Sequence, residues 1–435
     1  MLEFSEHYDG RVDLAKILSE EELAKIKGEH WTRKEFFPGN KFENQEVFDF
    51  SLYKEETHLK TSYFVGMSWL VPGKVPFRVR PKLDNSEVEI DYFQMLKVAL
   101  EEPQVEGHLS NLIKIDFSQE SMEISAKEEG LTLFLVVQFV SLLENLLRRG
   151  LLRSFRQEVD KYNNKIKGKI LISPSVSKCK DGLPLAKEFV CAHQNFDENV
   201  FVNQLLKTAF LASQRLLDGN RDFYQQDPSL RRKTTLISKK LQTIRPLERG
   251  KALNRVKLSP FFKKYREPVR LAQLILRLEG LSKSKDAVPT VRVPPYWINM
   301  TKLFELYVFS KLKKSIREGK IDYHLRFRFK EPDFLIRDSE LSLGTFIADA
   351  KYKPRYATRE SALWEDGKQL AGYSRYLPIR KYLNFEPHSN IPCVILYSDQ
   401  GKEEDFNFDD LEVDYLFEDL YKIGIKLPQK LIVQK

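Results

Sequence analysis

The sequence has few of the residues and patterns that mark several common classes of protein. Its 435 residues include three cysteines, and no pair of them has the CxxC spacing. This pattern argues against a zinc site and a disulfide framework, and it favours a reducing compartment. No apolar run approaches the ~18 residues of a membrane span, and the first residues are too charged for a signal peptide. We therefore expect a soluble, cytoplasmic protein without a membrane association.

The motifs of several hydrolases are also missing. The sequence contains no GxxxxGK[ST] phosphate loop, so we do not expect this chain to hydrolyse nucleotides by itself. It contains neither GxSxG nor HExxH, and its seven histidines are scattered. Serine-nucleophile and zinc-protease chemistry are therefore not indicated.

The chain does have an excess of basic residues. Lysine and arginine number 71 against 62 acidic residues, which gives a net charge of +9 and suits a polyanionic partner. Residues 231–257 hold ten basic side chains and one acid. We interpret this run, beginning with Arg231, Arg232 and Lys233, as a phosphate-contacting segment. A solvated helix face is the alternative interpretation.

Two short apolar segments carry the clearest pattern in the chain. Residues 334–336 and 346–350 alternate as strands and are separated by turn-forming residues, which predicts a hairpin. Asp333 precedes the first strand, while Asp349 and Lys351 leave the same face of the second. A buried sheet face rarely holds a carboxylate and an ammonium unless they are paired or bind a metal. We therefore take these three side chains as a candidate active site, with a surface ion pair as the alternative.

The flanking segments extend this pattern. Residues 299–314 are predicted to form a helix that carries Glu305 among apolar residues. Residues 361–377 are predicted to form a second helix that carries Gln369, and residues 391–397 an apolar strand.

These residues resemble two nested families. Pro332-Asp333, fifteen residues and Asp349-Ala350-Lys351 resemble the PD-(D/E)xK nuclease signature, whose core is a helix, three strands, a helix and a strand. The residues around that signature resemble the McrC family, the nuclease subunit of modified-cytosine restriction systems. The segments that carry this second resemblance are 65–96, 149–170, 300–308, 349–353 and 366–373. It covers roughly residues 60–400 and is strongest in the last third.

The resemblance implies roles for individual residues. The residues implied in catalysis are Asp333, Asp349, Lys351, Glu305 and Gln369. Mg²⁺, for which Mn²⁺ can substitute, would be held by Asp333, Asp349, Glu305 and the backbone carbonyl of Ala350. Lys351 would orient the attacking water, Gln369 would position water or phosphate, and Lys353 would contact a DNA phosphate. Tyr373 and Asp366 are expected to pack against and brace the second helix.

The predicted fold class is a multidomain mixed α/β protein with three domains. These are a β-rich domain (1–124), a mainly helical domain (125–286) and a PD-(D/E)xK nuclease domain (287–435), with a linker at 280–286. The predicted strands and helices of the first two domains are 48–53, 62–70, 75–79, 91–100, 131–152, 196–217 and 267–278.

The resemblance also implies partners. These are a separate AAA+ GTPase of the McrB type, which the chain would stimulate, and double-stranded, modified DNA. The first domain would dock on the GTPase. Arg78 and Arg80, which share a strand face, are the first candidates for that contact, and a solvated strand face is the alternative.

Two other functions remain open. One is a stand-alone PD-(D/E)xK nuclease of DNA repair or transposition, in which residues 1–285 bind DNA directly. The other is a non-catalytic adaptor that activates an NTPase and keeps a nuclease fold as a scaffold. The presence of Asp333, Asp349 and Lys351 together argues against the adaptor.

Overall fold

A computed structural model gives the fold of this chain. The residues that it describes are 1–14, 18–19, 31–37, 45–53, 56–85, 87–108, 112–116, 118–125, 129–176, 188–248, 260–282, 290–354, 356, 364–386, 388–401, 412–414 and 417–431. Part of the predicted basic segment (249–257) and most of the predicted linker (283–286) lie outside these residues. The chain divides into two compact units, which are residues 1–131 with 290–435, and residues 132–289.

The N-terminal part of the first unit consists mainly of strands. They are β1 (Leu2–Ser5), β2 (Asp9–Arg11), β3 (Trp31–Phe37), β4 (Gln45–Tyr53), β5 (Glu56–Thr61), β6 (Phe64–Val71), β7 (Val75–Arg80), β8 (Val88–Ile90), β9 (Ile113–Ile115) and β10 (Met122–Ser125). One helix, α1 (Tyr92–Leu100), follows β8, and the Asp91 side chain caps it by accepting a hydrogen bond from Gln94 N. The predictions for 48–53, 62–70, 75–79 and 91–100 are confirmed.

The second unit combines helices with a three-stranded sheet. Its elements are α2 (Glu129–Arg148), β11 (Ser154–Asn163), β12 (Lys169–Ile170), α3 (Ile172–Val176), β13 (Glu188–Asp197), α4 (Phe201–Gly219), α5 (Arg221–Gln226), α6 (Pro228–Lys240) and α7 (Arg266–Ser282). The sheet order is β11-β13-β12. The prediction that a helix begins at Phe196 is wrong, because Phe196 pairs with Phe155 in the antiparallel ladder of β11 and β13. Helix α7 also continues through residues 280–282, which the sequence pattern assigns to the linker.

The C-terminal part of the first unit contains the candidate site. Its elements are β14 (Thr290–Val293), β15 (Tyr296–Asn299), α8 (Met300–Ser315), β16 (Lys320–Tyr323), β17 (Phe334–Arg337), β18 (Phe346–Lys351), α9 (Trp364–Ser374), α10 (Leu377–Tyr382), β19 (Cys393–Ser398), β20 (Glu412–Val413), β21 (Leu420–Ile425) and β22 (Gln429–Leu431). The predicted hairpin, the helix at 299–314 and the apolar strand are confirmed in this part. The helix predicted at 361–377 is confirmed over Trp364–Ser374, and residues 361–363 lie outside the described residues.

A six-stranded sheet organises this part, in the order β16-β17-β18-β19-β21-β20. Strands β16, β17 and β18 are antiparallel, whereas β18, β19 and β21 run parallel. Leu335 and Ile347 are register partners on β17 and β18, and both are buried in a core that includes Leu370 of α9 and Ile379 of α10. This packing fixes α9 over the face of the sheet from which Asp349 and Lys351 project.

The N-terminal and C-terminal segments share a second sheet, in the order β1-β7-β6-β15-β9. Strand β15 pairs on one side with β6 and on the other with β9. Gly66 on β6 has φ +150°, and a Cβ there would come within 2.1 Å of Tyr296 O, so only glycine allows this close pairing. The predicted domains 1–124 and 287–435 are therefore not separate and form one unit.

Another contact joins the N-terminus to the candidate site. The Tyr352 hydroxyl, just beyond β18, donates to Glu6 Oε2 at 3.1 Å, and Lys82 Nζ donates to Tyr352 O at 2.6 Å. Glu6 is 3% exposed, and burial raises its pKa to about 7.

Among the described helices, none has the length and apolarity needed to cross a membrane.

Candidate active site

Strands β17 and β18 bring two carboxylates together. Phe334 pairs with Ala348, so the same register extended by one residue places Asp333 across from Asp349. Asp333 Oδ2 accepts a hydrogen bond from Ala350 N at 2.9 Å. The sequence prediction that these two acids converge is therefore supported by the strand register.

Asp349 is buried without good hydrogen bonds. Its side chain is 1% exposed. Lys351 Nζ lies 2.5 Å from Oδ2 and forms an ion pair with it, yet neither carboxylate oxygen accepts a well-directed hydrogen bond from the described residues. Burial raises the pKa of Asp349, and the Lys351 charge opposes that rise. A buried carboxylate in this condition is costly unless a cation accompanies it.

The environment of Asp333 is also unfavourable for a charge. Burial raises the pKa of Asp333 well above its ordinary value, and the nearby charges of Asp349 and Glu305 raise it further. The hydrogen bond from Ala350 N opposes this effect. Paired carboxylates that each disfavour ionisation are a suitable donor set for a hard divalent cation.

Lys351 is held between its ion pair and helix α9. Its Nζ donates to Gln369 Oε1 at 3.0 Å, and Gln369 Nε2 donates to the Tyr373 hydroxyl at 2.8 Å. Burial alone would lower the pKa of Lys351, but the Asp349 carboxylate raises it above the ordinary value. Lys351 therefore stays charged, and Gln369 and Tyr373 fix its direction. Gln369 thus contacts the candidate site, as predicted.

Asp366 and Lys353 form a neighbouring ion pair. Lys353 Nζ lies 2.7 Å from Asp366 Oδ2, and the Tyr356 hydroxyl also donates to that oxygen. Burial would raise the pKa of Asp366, but the hydrogen bonds from Lys353 and Tyr356 lower it below the ordinary value. These contacts agree with the expected bracing role of Asp366. The contact of Lys353 with DNA stays a prediction.

Glu305 lies among donors that sequence reasoning did not assign to the site. Its Oε2 is 3.0 Å from His324 Nε2, 3.2 Å from Lys302 Nζ and 3.3 Å from the Tyr323 hydroxyl. Burial would raise the pKa of Glu305, but the His324 hydrogen bond and the Lys302 charge lower it. One ligand atom from each of Glu305, His324 and Asp333 lies within 4.8 Å of the others, a spacing that a metal ion could bridge.

The missed residues depend on a strand that the sequence pattern did not reveal. Strand β16 is only four residues long, and its pairing sets Tyr323 opposite Phe334 on β17. His324 follows with φ +48°, a backbone conformation uncommon for a residue other than glycine, and its Nδ1 lies 3.3 Å from Glu331 Oε1. The one available signal was the spacing, since Asp322-Tyr323-His324 precedes the predicted hairpin by nine residues.

The predicted docking residues belong to the first unit and have partners within it. Arg78 and Arg80 are half-buried on one face of β7, while Val75, Phe77 and Val79 on the other face are buried. Arg80 pairs with Glu3 and Glu89, and Arg78 donates to the Tyr92 hydroxyl at 3.3 Å. Their shared face is as predicted, and their docking role stays a prediction.

The predicted phosphate contacts lie on helix α6 of the second unit. Arg231 and Arg232 are exposed. Lys233 is half-buried instead, with Nζ 3.8 Å from Glu144 Oε2 and 3.5 Å from Ser141 Oγ on α2. Lys233 thus contacts α2, whereas the two arginines present their charge to solvent. A role of these three residues in DNA binding stays a prediction.

Comparisons with known proteins agree with the resemblance seen in the sequence. The family described as "McrBC 5-methylcytosine restriction system component" matches residues 59–382, and no curated protein matches the chain. A half-complex from a tetradecameric assembly of Thermococcus gammatolerans McrB AAA+ hexamers with bound McrC is similar at 16% identity, with a TM-score of 0.40 and coverage of 98% of this chain and 94% of that chain. The cryo-EM structure of the Thermococcus gammatolerans McrBC complex is similar at 16% identity, with a TM-score of 0.30 and coverage of 73% and 89%. Because the family match spans most of the sequence, the chain belongs to the McrBC family of 5-methylcytosine restriction system components, as the resemblance predicted.

Proposed function

We propose that this chain is a metal-dependent DNA endonuclease of the PD-(D/E)xK type and the cleaving subunit of an McrBC-like restriction system. The observation that carries this proposal is the state of Asp349. It is buried, its oxygens accept no well-directed hydrogen bond from the described residues, and Asp333 and Lys351 lie beside it. The single charge of Lys351, paired with Asp349, would leave the second buried carboxylate, Asp333, without a counter-charge.

The donor set fits Mg²⁺, with Mn²⁺ as a possible substitute. Asp333, Asp349 and the Ala350 carbonyl would hold the ion, and all three offer the hard oxygen ligands that Mg²⁺ prefers. When bound, the ion supplies Lewis-acid polarisation of the phosphate and acidifies the attacking water.

The other residues act through position and charge. Lys351 Nζ, directed by Gln369, can hold the attacking water and offset the negative charge that develops on the phosphate. The resemblance gives Glu305 the role of binding metal or accepting the water proton. Three donors surround its Oε2 and its pKa is lowered, so Glu305 is a weak base and serves better as a fixed negative charge.

The family membership supports the proposed partners. The similar Thermococcus gammatolerans assembly holds McrC on McrB AAA+ hexamers, and we extend this arrangement to the present chain. The partner would be an AAA+ GTPase that selects modified double-stranded DNA, and this chain would cut the DNA and stimulate GTP hydrolysis. The net charge of +9 suits the DNA substrate.

The two alternatives predict different behaviour. A stand-alone repair or transposition nuclease would cut DNA without a partner. An adaptor would stimulate the NTPase without needing Asp333, Asp349 and Lys351, although the chain keeps all three in a shared buried cluster. The family match favours the partner-dependent enzyme over both.

Cleavage of methylated plasmid by the purified chain tests the proposal. We expect cleavage when Mg²⁺, GTP and the AAA+ partner are all present, and none when a chelator removes the metal. Equal cleavage without the partner would favour the stand-alone nuclease. Stimulation of GTP hydrolysis without any cleavage would favour the adaptor.

A further inference from the structure

We propose that the Lys302 ammonium is a built-in cation at the Glu305 side of the candidate site, so that the chain binds one divalent ion rather than two. This inference rests on the proposed function, because it concerns the same metal site. It assigns Lys302 a positioning role that no sequence pattern indicated.

The contacts of Lys302 are those of a bound cation. Its Nζ lies 2.6 Å from the Tyr323 hydroxyl, 3.2 Å from Glu305 Oε2 and 3.3 Å from His324 Nε2. It also lies 4.8 Å from the centre of the Tyr323 ring, within the range of a cation–π contact. The Glu305 carboxylate on α8, the hydroxyl and ring of Tyr323 on β16 and the imidazole of His324 thus surround one ammonium.

Local structure fixes where this ammonium sits. Asn299 caps helix α8 by accepting a hydrogen bond from Lys302 N at 2.9 Å, so Lys302 belongs to a defined first turn. Glu305 is three residues further on, which places both side chains on one helix face. The Lys302 side chain is only 22% exposed. The ammonium is therefore held in place by its surroundings and is not a mobile surface charge.

A second metal ion at this corner would compete with Lys302. Mg²⁺ binds oxygen ligands at about 2.0–2.1 Å. An ion on Glu305 Oε2 would share an oxygen that Lys302 Nζ already contacts at 3.2 Å, so the two like charges would lie at most about 5 Å apart and would repel each other. Lys302 would have to leave three partners to admit the ion.

One divalent ion gives this group of side chains a small net positive charge. With the metal bound, Glu305, Asp333 and Asp349 would carry three negative charges, and Lys302 and Lys351 would carry two positive ones. One divalent ion makes this group net positive by one, which favours a phosphate without a large excess charge.

Removing the Lys302 charge should create the second ion site. Glu305, His324 and Asp333 already have one ligand atom each within 4.8 Å of the others. In Lys302→Met, an unbranched apolar side chain replaces the ammonium, and these three groups become available to a divalent ion such as Mn²⁺. Because His324 would then be a ligand, its nitrogen should couple to the electron spin of the second Mn²⁺.

Mn²⁺ binding to the full-length chain tests this inference without any activity measurement. The ions that bind per chain are counted by titration calorimetry and electron paramagnetic resonance. The ions retained by the Asp333→Ala/Asp349→Ala double variant are subtracted as binding elsewhere. We expect one ion for the parental chain without nitrogen coupling, and two for Lys302→Met with a nitrogen coupling that His324→Ala removes.

Two control variants test whether the extra ion depends on loss of the positive charge at position 302. Lys302→Arg keeps a cation and should bind one ion. Lys313→Met removes a half-buried lysine of the same helix, which lies near the Phe309 ring and away from Glu305, and should also bind one. If Lys302→Met does not fold, Lys302→Gln replaces it, and the same ion counts are expected.

The outcomes separate this inference from the proposed function. Two ions on the parental chain, with nitrogen coupling, would overturn the role of Lys302 and leave the proposed nuclease site standing. One ion on both the parental chain and Lys302→Met would show that Lys302 does not exclude the second ion. No ion above background on the parental chain would overturn the metal site itself.

Discussion

Asp349 and Asp366 are two buried aspartates of one site whose surroundings have opposite effects on stability. The pKa of Asp349 is raised because burial outweighs its ion pair with Lys351. The pKa of Asp366 is lowered because Lys353 and Tyr356 donate to its carboxylate. Asp366 has the surroundings of an acid with a structural role, whereas Asp349 has the surroundings of an acid that binds a cation.

Asparagine substitutions should reveal this difference in metal-free protein. Asp349→Asn should stabilise the fold by about 1–3 kcal/mol near pH 7, because it removes a buried charge that lacks good hydrogen bonds. A raised folded-state pKa means that ionised Asp349 destabilises the fold, so the gain should shrink as the pH falls toward the unfolded-state pKa near 3.8. Urea unfolding across pH, with a chelator present, measures the effect.

Asp366→Asn is the matched control and should destabilise the fold. A lowered folded-state pKa contributes stability above the unfolded-state pKa of 3.8, and that stability is lost as the pH falls through the folded value. The cost of this variant should therefore be largest at neutral pH. Stabilisation by both substitutions, or by neither, would contradict the distinction between these two acids.

At the scale of single elements, helix α6 tests the interpretation of the basic segment. Reversing Arg231 and Arg232 to glutamate should weaken DNA binding and lower the slope of log K against log salt by roughly two, one for each phosphate that an arginine no longer neutralises. Lys233 is left unchanged, because an acid there would face Glu144. Binding is measured by fluorescence anisotropy over a range of salt concentrations.

A variant with the same change in net charge provides the control. Lys60→Glu/Lys320→Glu reverses two exposed lysines of the other unit, and it should leave the salt slope at the parental value. If the Arg231 and Arg232 reversals leave the salt slope unchanged, α6 is a solvated helix face and not a phosphate-contacting segment.

The elements that could be predicted are those in which the spacing of apolar residues indicates which side chains are buried. Strands β17 and β18 and helix α8 have buried apolar residues at regular spacing, and their bounds agree with the prediction. Strands β11 and β13 were missed because most of their side chains are polar, and exposed Phe155 and Phe196 pack on each other rather than in a core. For such strands the sequence contains no burial pattern from which to infer pairing.

The candidate site was predictable to a similar extent. Asp333, Asp349 and Lys351 are tied to the hairpin, so strand periodicity was enough to place them together. Lys302 and His324 join the site only through the pairing of β16 with β17, which is set by tertiary packing. The role of Lys302 could not be separated from that of an exposed helix lysine until its contacts were known.

At the scale of the whole molecule, one compact unit is built from two separate parts of the chain, residues 1–131 and residues 290–435. Strand β15 lies between β6 and β9, with Tyr296 and Trp297 buried. Deleting residues 1–120 would remove both neighbours of β15. A truncated chain of that kind is expected to misfold, so it cannot be used to separate docking from cleavage.

The second unit, in contrast, should be removable. Ser125 and Thr290 are register partners in the antiparallel ladder of β10 and β14, so an Asn-Gly turn can replace residues 126–289 and close a hairpin. We expect the shortened chain to unfold cooperatively and to bind Mn²⁺ with the parental stoichiometry. Circular dichroism and calorimetry check this, with the 1–120 deletion as the contrast. Loss of cooperative unfolding would show that the first unit depends on the second.

The central claim is that Asp349 serves phosphodiester cleavage and not the coupling to the partner. The most direct measurement pairs cleavage of methylated plasmid with GTP turnover by the AAA+ partner, using Asp349→Ala and, as a control, Lys313→Met. We predict that Asp349→Ala abolishes cleavage in Mg²⁺ and keeps the parental stimulation of GTP turnover, while Lys313→Met retains both activities. Cleavage by Asp349→Ala at the parental rate would contradict the assignment of the active site.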